Sequence, residues 1–513
     1  MTSNQPIAFS TLLDGLTRSV DANPSAEALA HGGRRLTYGD LYKLTSKVNA
    51  YLTGSGLNKG DRVALLAANS PEYVALYYGT LAAGGIAVPL NTQAKARDID
   101  NWLKHSGARY LFADCNHPEL EAVVRTPHQV RVVTVGFSNR SPAPDLVTWQ
   151  QVVELPGEAP RVPLKPNDLA SIIYTSGTTG EPKGITLSHR NLASNVTSII
   201  QYLDLTAADS IVQVLPFYYS YGNSILHTHL CAGGRLVLEN SLLYPHVVVE
   251  KIAKERTTGF SGVPSTFALL LGRVKLNQYD LSSLRYVTQA GGPMAPALTR
   301  RLIDALPHAR LFVMYGQTEA TARLTYLPPQ KLTEKMGSVG IAIPGVRLEI
   351  RHEQDRLANE GETGEICAQG ANIMQGYWND DKRTAEALRN GWLRTGDLAH
   401  YDADRYIYID GRSSDMIKTG ANRISPKEVE EVIQELPEVE EVAVVGVPDE
   451  TLGEVIKAYI VAAPDQKLAV RAIQYHCRKN LAAYKIPRQI ELVDALPKTA
   501  SGKIKRHLLK QVT

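Results

Sequence analysis

Short apolar runs alternate with helix-length amphipathic segments over much of the chain, and this alternation constrains the fold more than any other feature. RVALLAAN (62–69) reads as a strand. SPEYVALYYGTLAAGGIAVPL (70–90) reads as a capped helix, a glycine turn and a second strand. ARYLFAD (108–114) and VRVVTVG (130–136) read as further strands. Strands separated by helix-length segments imply β-α-β units and a parallel sheet. The proline-rich, polar stretch 141–168 reads as a surface connection. From 332 to 413 the pattern changes to short strands with many glycines, which predicts a small β-rich lobe. After GRSSD (411–415) it restarts: SPKEVEEVIQEL as helix, VEEVAVVGVPD and VIKAYIVAA as strands, AVRAIQYHCRKNL as helix. The expected fold class is α/β. A large N-terminal domain (1–413) combines mixed and parallel sheets with helices and includes the 332–413 lobe, and a small α+β domain (414–513) follows it.

Composition narrows the function. The chain has 513 residues, enough for three or four lobes at ~150 residues each. Its 55 Lys+Arg against 52 Asp+Glu leave a formal charge of +3, too little for a dedicated nucleic-acid binder. Hydrophobic residues make up 44%, which excludes a disordered chain. The four cysteines (Cys115, Cys231, Cys367, Cys477) form no C-x-x-C pair, so four reduced thiols are expected. The N-terminus has no signal-like pattern, and no run reaches 18 apolar residues. A cytoplasmic protein without integral membrane contact is the expectation.

The sharpest chemical signal is LASIIYTSGTTGEPKGITLSH (169–189). A β-branched, aromatic strand runs into Thr175, Ser176, Gly177, Thr178, Thr179 and Gly180, with Lys183 and Gly184 just beyond. Closely spaced glycines let backbone N–H groups approach an anion, and the hydroxyls add donors. The loop suits phosphate but lacks the Walker A spacing.

With this loop the sequence resembles the adenylate-forming superfamily: acyl- and aryl-CoA ligases, the adenylation domains of nonribosomal peptide synthetases, and beetle luciferase. The resemblance covers nearly the whole chain. QAGGP (289–293), MYGQTEA (314–320), GYW (376–378), WLRTGDLA (392–399), YIDGR (408–412), IKTGANRISPKEVE (417–430) and PKTASGKIKR (497–506) follow in the family's order. It implies that a carboxylate attacks the α-phosphorus of ATP, giving an acyl-adenylate and pyrophosphate, and that a thiol then takes the acyl group. Such catalysis rests on positioning and cationic stabilisation, with no protein nucleophile.

The resemblance also assigns roles. Lys503 becomes the adenylation lysine, Glu319 the Mg²⁺ carboxylate and Thr318 an α-phosphate contact. A lone Glu suffices for Mg²⁺, which keeps waters and shares phosphate oxygens. Asp397 becomes the acceptor of both ribose hydroxyls, with Arg412 and Ile409 beside it. Gly291, Gly292, Pro293, Tyr315 and Gly316 would frame the adenine. The acid pocket would draw on Tyr219, Ser220, Asn223, Gly262, Gln289 and Ala290, with Tyr218, Tyr221, His227 and His229 as further candidates. Amino-acid-activating relatives place an Asp after a Phe in this stretch. Here Tyr218 and Tyr219 follow Phe217, and no acidic residue occurs from 210 to 238. A buried ammonium would lack a partner, which favours a neutral carboxylic acid over a primary α-amino acid.

No carrier-protein segment lies in the chain, so a diffusible acceptor is expected, CoA first. The alternative is a free-standing, phosphopantetheinyl acyl or peptidyl carrier protein, with an amino or imino acid such as proline as a conceivable substrate. An amine acceptor or a luciferase-like oxidation ranks below these. A non-catalytic nucleotide-binding regulator predicts loss of Lys503, Glu319 or Asp397, and all three are present. Monomer and homodimer both remain open. The small domain is implied to be mobile and to swing at Ser414, where relatives often carry Asp or Lys, bringing Lys418 and Gly420 to the thiol side.

Overall fold

The computed structural model describes residues 9–126, 130–136, 146–156, 159–175, 182–352, 355–413, 415–419, 422–449, 452–463, 466, 468–498 and 504–510. Two large sheets and two small ones carry the chain.

In the eight-stranded sheet, Arg62–Leu66 pairs in parallel with Ile86–Pro89 on one side and Ala108–Asp114 on the other. Leu169–Thr175 joins parallel to Ile86–Pro89, and Lys183–Ser188 returns antiparallel to it, in register Thr175↔Lys183. The phosphate-loop sequence therefore connects two antiparallel strands. The helices crossing over between the parallel strands are those the sequence pattern demands. Pro71–Ala82 starts at Ser70, whose hydroxyl accepts from the Tyr73 N–H, with Pro71 in the first turn. Every residue of that helix is buried, as its all-round apolar sequence requires.

The nine-stranded sheet has a parallel heart: Arg235–Leu238, Ser210–Gln213, Gly259–Gly262, Tyr286–Gln289 and Arg310–Tyr315 lie side by side in that spatial order. One apolar cluster joins both large sheets, from Val63 and Leu65 to Val212 and Phe312. Between them, helices Pro71–Ala82 and Ser220–Ala232 meet through the Tyr78 hydroxyl and His227 Nδ1, 2.9 Å apart.

Val346–Arg351, Gly364–Gly370, Leu388–Arg389, Trp392–Tyr401 and Ile407–Arg412 form an antiparallel sheet with a small core of its own. Two strands of the 332–413 interval belong elsewhere. Ile341–Ala342 extends the nine-stranded sheet, and Gly376–Tyr377 pairs with Lys183–Ser188 in the eight-stranded one. Beyond 415, Ile417–Thr419, Asn422–Ile424, Val439–Asp449, Gly453–Ala462 and Gln489–Leu492 form the fourth sheet. Helices Pro426–Gln434 and Val470–Asn480 accompany it, and two separate apolar clusters fill it. No helix among the described residues is long and apolar enough to cross a membrane.

Candidate active site

Gly262, Gln289 and Tyr315 each end one of three adjacent parallel strands, so three sequence-predicted residues reach the same rim of the sheet. Ligands of open α/β sheets bind at this carboxyl-end rim. Gly291 turns the chain at φ +86°, in the left-handed region that favours glycine. Gln289 Nε2 donates to the Gly292 carbonyl at 2.8 Å. That amide nitrogen therefore braces the glycine turn from the buried strand end. Ala290 is buried beside it, and Pro293 follows the turn.

After Tyr315 the strand breaks at Gly316. A Cβ there would stand 2.1 Å from the Ala322 carbonyl oxygen, so only glycine fits. Thr318–Ala320 then makes one tight turn. Thr318 Oγ1 donates to Ser220 Oγ at 3.2 Å, tying this turn to the first residue of helix Ser220–Ala232. Tyr377 donates to Glu319 Oε1 at 3.0 Å. Burial, and then the Glu319 carboxylate, push the Tyr377 phenol pKa up, so the hydroxyl stays a donor.

The antiparallel lobe supplies the other half. Asp397 lies directly opposite Arg412 across two paired strands. Its carboxylate is only 5% exposed, counted over the residue, and accepts from Arg412 Nε at 2.9 Å and from the Tyr315 hydroxyl at 2.7 Å. Burial, then the Asp397 charge, raise the Tyr315 pKa, which keeps that phenol protonated. Two oxygens offer about four lone-pair positions, and two are engaged here. The remaining capacity suits a vicinal diol. Ile409 stands half-buried on the Arg412 strand, and Lys427 Nζ donates to its carbonyl at 2.7 Å.

Tyr219 caps the helix Ser220–Ala232, its ring 4.5 Å from that of Tyr218. Tyr221 places its hydroxyl 2.8 Å from Thr288 Oγ1. Asn223 is buried one turn into the helix, its amide nitrogen without a partner among the described residues. The two histidine candidates belong to the core. His227 contacts Tyr78, and His229 Nε2 contacts the Tyr286 hydroxyl at 2.7 Å. Burial lowers their pKa values to about 3 and about 4. The irregular aromatic spacing could not reveal these buried contacts.

Thr175 and Lys183 bracket the phosphate loop. Ser176, Gly177, Thr178, Thr179 and Gly180 themselves lie outside the described residues, as do Ser414, Gly420 and Lys503. Lys418 is exposed on Ile417–Thr419, with its N–H donating to Glu454 at 2.7 Å. Among the described residues no group of three or more His, Cys, Asp or Glu could hold a metal ion. Glu319 instead offers the single carboxylate that a magnesium ion shared with phosphates requires. Sequence reasoning gave no role to Tyr377, although it lies in a quoted motif, and none to Arg323, which lies in no motif.

The strand-end rim, the buried Asp397 carboxylate and the Thr318–Glu319 turn fit an adenylate-forming site. The chain belongs to the AMP-binding enzyme family: the family's sequence model matches residues 16–378, and that of its C-terminal domain matches residues 428–503. It is 33% identical over 488 residues to a feruloyl-CoA synthase from an Amycolatopsis species, covering 95% of this chain and 96% of that one. It is 32% identical over 514 residues to the indoleacetate–CoA ligase of Aromatoleum aromaticum, covering 98% of each. Among solved structures, the anthranilate CoA ligase AuaEII in complex with anthranoyl-AMP superposes with a TM-score of 0.90 at 28% identity, covering 99% of this chain and 98% of that chain. The chain is an AMP-forming acid–thiol ligase of the acyl- and aryl-CoA ligase type.

Proposed function

We propose that this ligase activates a carboxylic acid lacking an α-ammonium group and transfers it to CoA rather than to a carrier protein. The observation that carries the adenylation reading is the Tyr315–Asp397–Arg412 cluster, whose Tyr315 stands three residues before the Thr318–Glu319 turn on the strand-end rim. Asp397 would hold the ribose while Thr318 lies beside the reacting phosphate. The acid carboxylate attacks the α-phosphorus, the P–O bond to pyrophosphate breaks, and an acyl-adenylate forms. Lys503 would stabilise the charge that develops on the phosphorus oxygens. Glu319 would hold a magnesium ion, which would neutralise charge on the phosphates. The CoA thiol then adds to the acyl carbon, and AMP leaves with both electrons of the C–O bond.

The separate apolar clusters beyond residue 417 support a division of the chain near Ser414, with 414–513 as a body able to swing. Lys503 would face the site in one pose, and Lys418 and Gly420 in the other. The feruloyl-, indoleacetate- and anthranilate-CoA ligases among its relatives support CoA as acceptor. A screen of aryl, alkyl and amino acids for pyrophosphate release, then for thioester with CoA or a carrier protein, tests the proposal. Turnover with carboxylic acids and CoA is expected. Preference for a free amino acid, or for a carrier protein over CoA, would overturn it.

A further inference from the structure

Arg323 is a buried charge without a counter-charge among the described residues. The residue is 3% exposed. Its guanidinium carbon lies 4.0 Å from the centroid of the Tyr221 ring. Nη1 makes a long contact, 3.3 Å, to the adjacent Ala322 carbonyl, and the buried Nε has no partner among the described residues. No Asp or Glu among the described residues pairs with it. The Tyr202 hydroxyl accepts a hydrogen bond from it and the Tyr221 ring covers it, but burial raises both phenol pKa values, so neither supplies a negative charge. An unpaired buried cation is among the costliest groups a fold can hold, and it persists where something arrives to pair with it.

The backbone holds this cation in place. The Arg323 carbonyl accepts from Asn195 Nδ2 at 3.1 Å and Asn372 Nδ2 at 3.0 Å. Thr321, two residues earlier, sits at φ +66°, an unusual conformation for a β-branched residue. The backbone at Ala322 and Arg323 packs directly behind Gly316, and the guanidinium lies over the Tyr221 ring. Tyr221, the ring it covers, follows Ser220, which contacts Thr318. The Tyr221 hydroxyl and Ser261 Oγ both meet Thr288 Oγ1, at 2.8 and 2.6 Å.

We propose that Arg323 selects a dicarboxylic acid, pairing with one carboxylate while the other is activated at the Thr318–Glu319 turn. The inference rests on the acid–CoA ligase reading and refines its substrate. It replaces the neutral acid expected from the sequence. A planar guanidinium matches a carboxylate through two parallel N–H···O bonds. A neutral chain end would leave the cation unpaired, and an ammonium would meet a like charge.

The test uses matched pairs of acids with the full-length enzyme, ATP, magnesium and CoA: succinate against butyrate, adipate against hexanoate, and terephthalate against 4-methylbenzoate. Pyrophosphate release is the readout. In at least one pair the diacid is expected to exceed its partner in kcat/KM by roughly 10²-fold or more. Arg323→Met should collapse that ratio to near one by raising KM for the diacid, and Arg323→Lys should restore part of it. The preferred diacid should raise the melting temperature of the wild type, with its monoacid partner having little effect, which holds the proposal to account even if Arg323→Met folds poorly. Turnover of monoacids with ratios near one in every pair, or a ratio untouched by Arg323→Met, would overturn the proposal and leave the ligase reading standing. Release driven by no acid at all would bring down both.

Discussion

Asp397 shows how much of this site depends on single side chains placed by register. One carboxylate takes the Arg412 guanidinium from the neighbouring strand and the Tyr315 hydroxyl from another sheet. It therefore couples the antiparallel lobe to the nucleotide rim before any ligand arrives. Asp397→Asn should weaken binding of AMP, or of a non-hydrolysable acyl-adenylate mimic, by about 1.5–3 kcal/mol, the worth of hydrogen bonds to a charged group. Isothermal titration reads this directly, and an affinity within twofold of wild type would remove Asp397 from the ribose role. Tyr315, Asp397, Arg412, Thr318 and Glu319 were singled out in the sequence by their motifs, and the structure brings the first three into one cluster. Tyr377 was not legible as a partner of Glu319, since its hydroxyl arrives through the pairing of Gly376–Tyr377 with a strand nearly 200 residues earlier. Arg323 was not legible either. One arginine in a mixed segment carries no signal until its burial and its lack of a counter-charge among the described residues are seen.

Helix Ser220–Ala232 is the element on which pocket and core divide. Its first turn gives Ser220 to the Thr318 contact and Tyr221 to the Thr288 contact. Its later turns place His227 and His229 in the core, where burial holds their pKa values at about 3 and about 4. His189, opening helix His189–Leu203, is buried without a partner for either ring nitrogen among the described residues, and its pKa is lowered to about 4. All three are neutral in the folded chain near pH 5.5, whereas in the unfolded chain they bind protons around pH 6.5. Their folded pKa values lie below the unfolded ones, so their contribution is whole above pH 6.5 and is lost as pH falls toward 4. Each should cost about 1.4 kcal/mol of stability at pH 5.5 relative to neutral pH. Urea unfolding at pH 7.5 and 5.5, above the range where most carboxylates titrate, should show a clear drop in midpoint. A flat profile would contradict the buried, neutral assignment. The helix itself was legible only in part. Its aromatic run has no clean period, so sequence alone did not separate pocket positions from core positions.

At the scale of the molecule, the β-α-β pattern and the order of motifs made the large sheets and the small C-terminal fold readable in advance. Their exact membership was less so. The strands Ile341–Ala342 and Gly376–Tyr377 left the β-rich interval for the large sheets because two-residue pairings at sheet edges leave almost no sequence trace. The family fixes the reaction: the acid carboxylate attacks phosphorus and the acyl group leaves on a thiol. The fate of one oxygen tests this most directly. With the acid labelled with ¹⁸O in its carboxyl group, and ATP and CoA present, one labelled oxygen should appear in the phosphate of AMP, because the C–O bond breaks when the thiol attacks. Unlabelled AMP, or ADP and inorganic phosphate in its place, would contradict an acyl-adenylate intermediate.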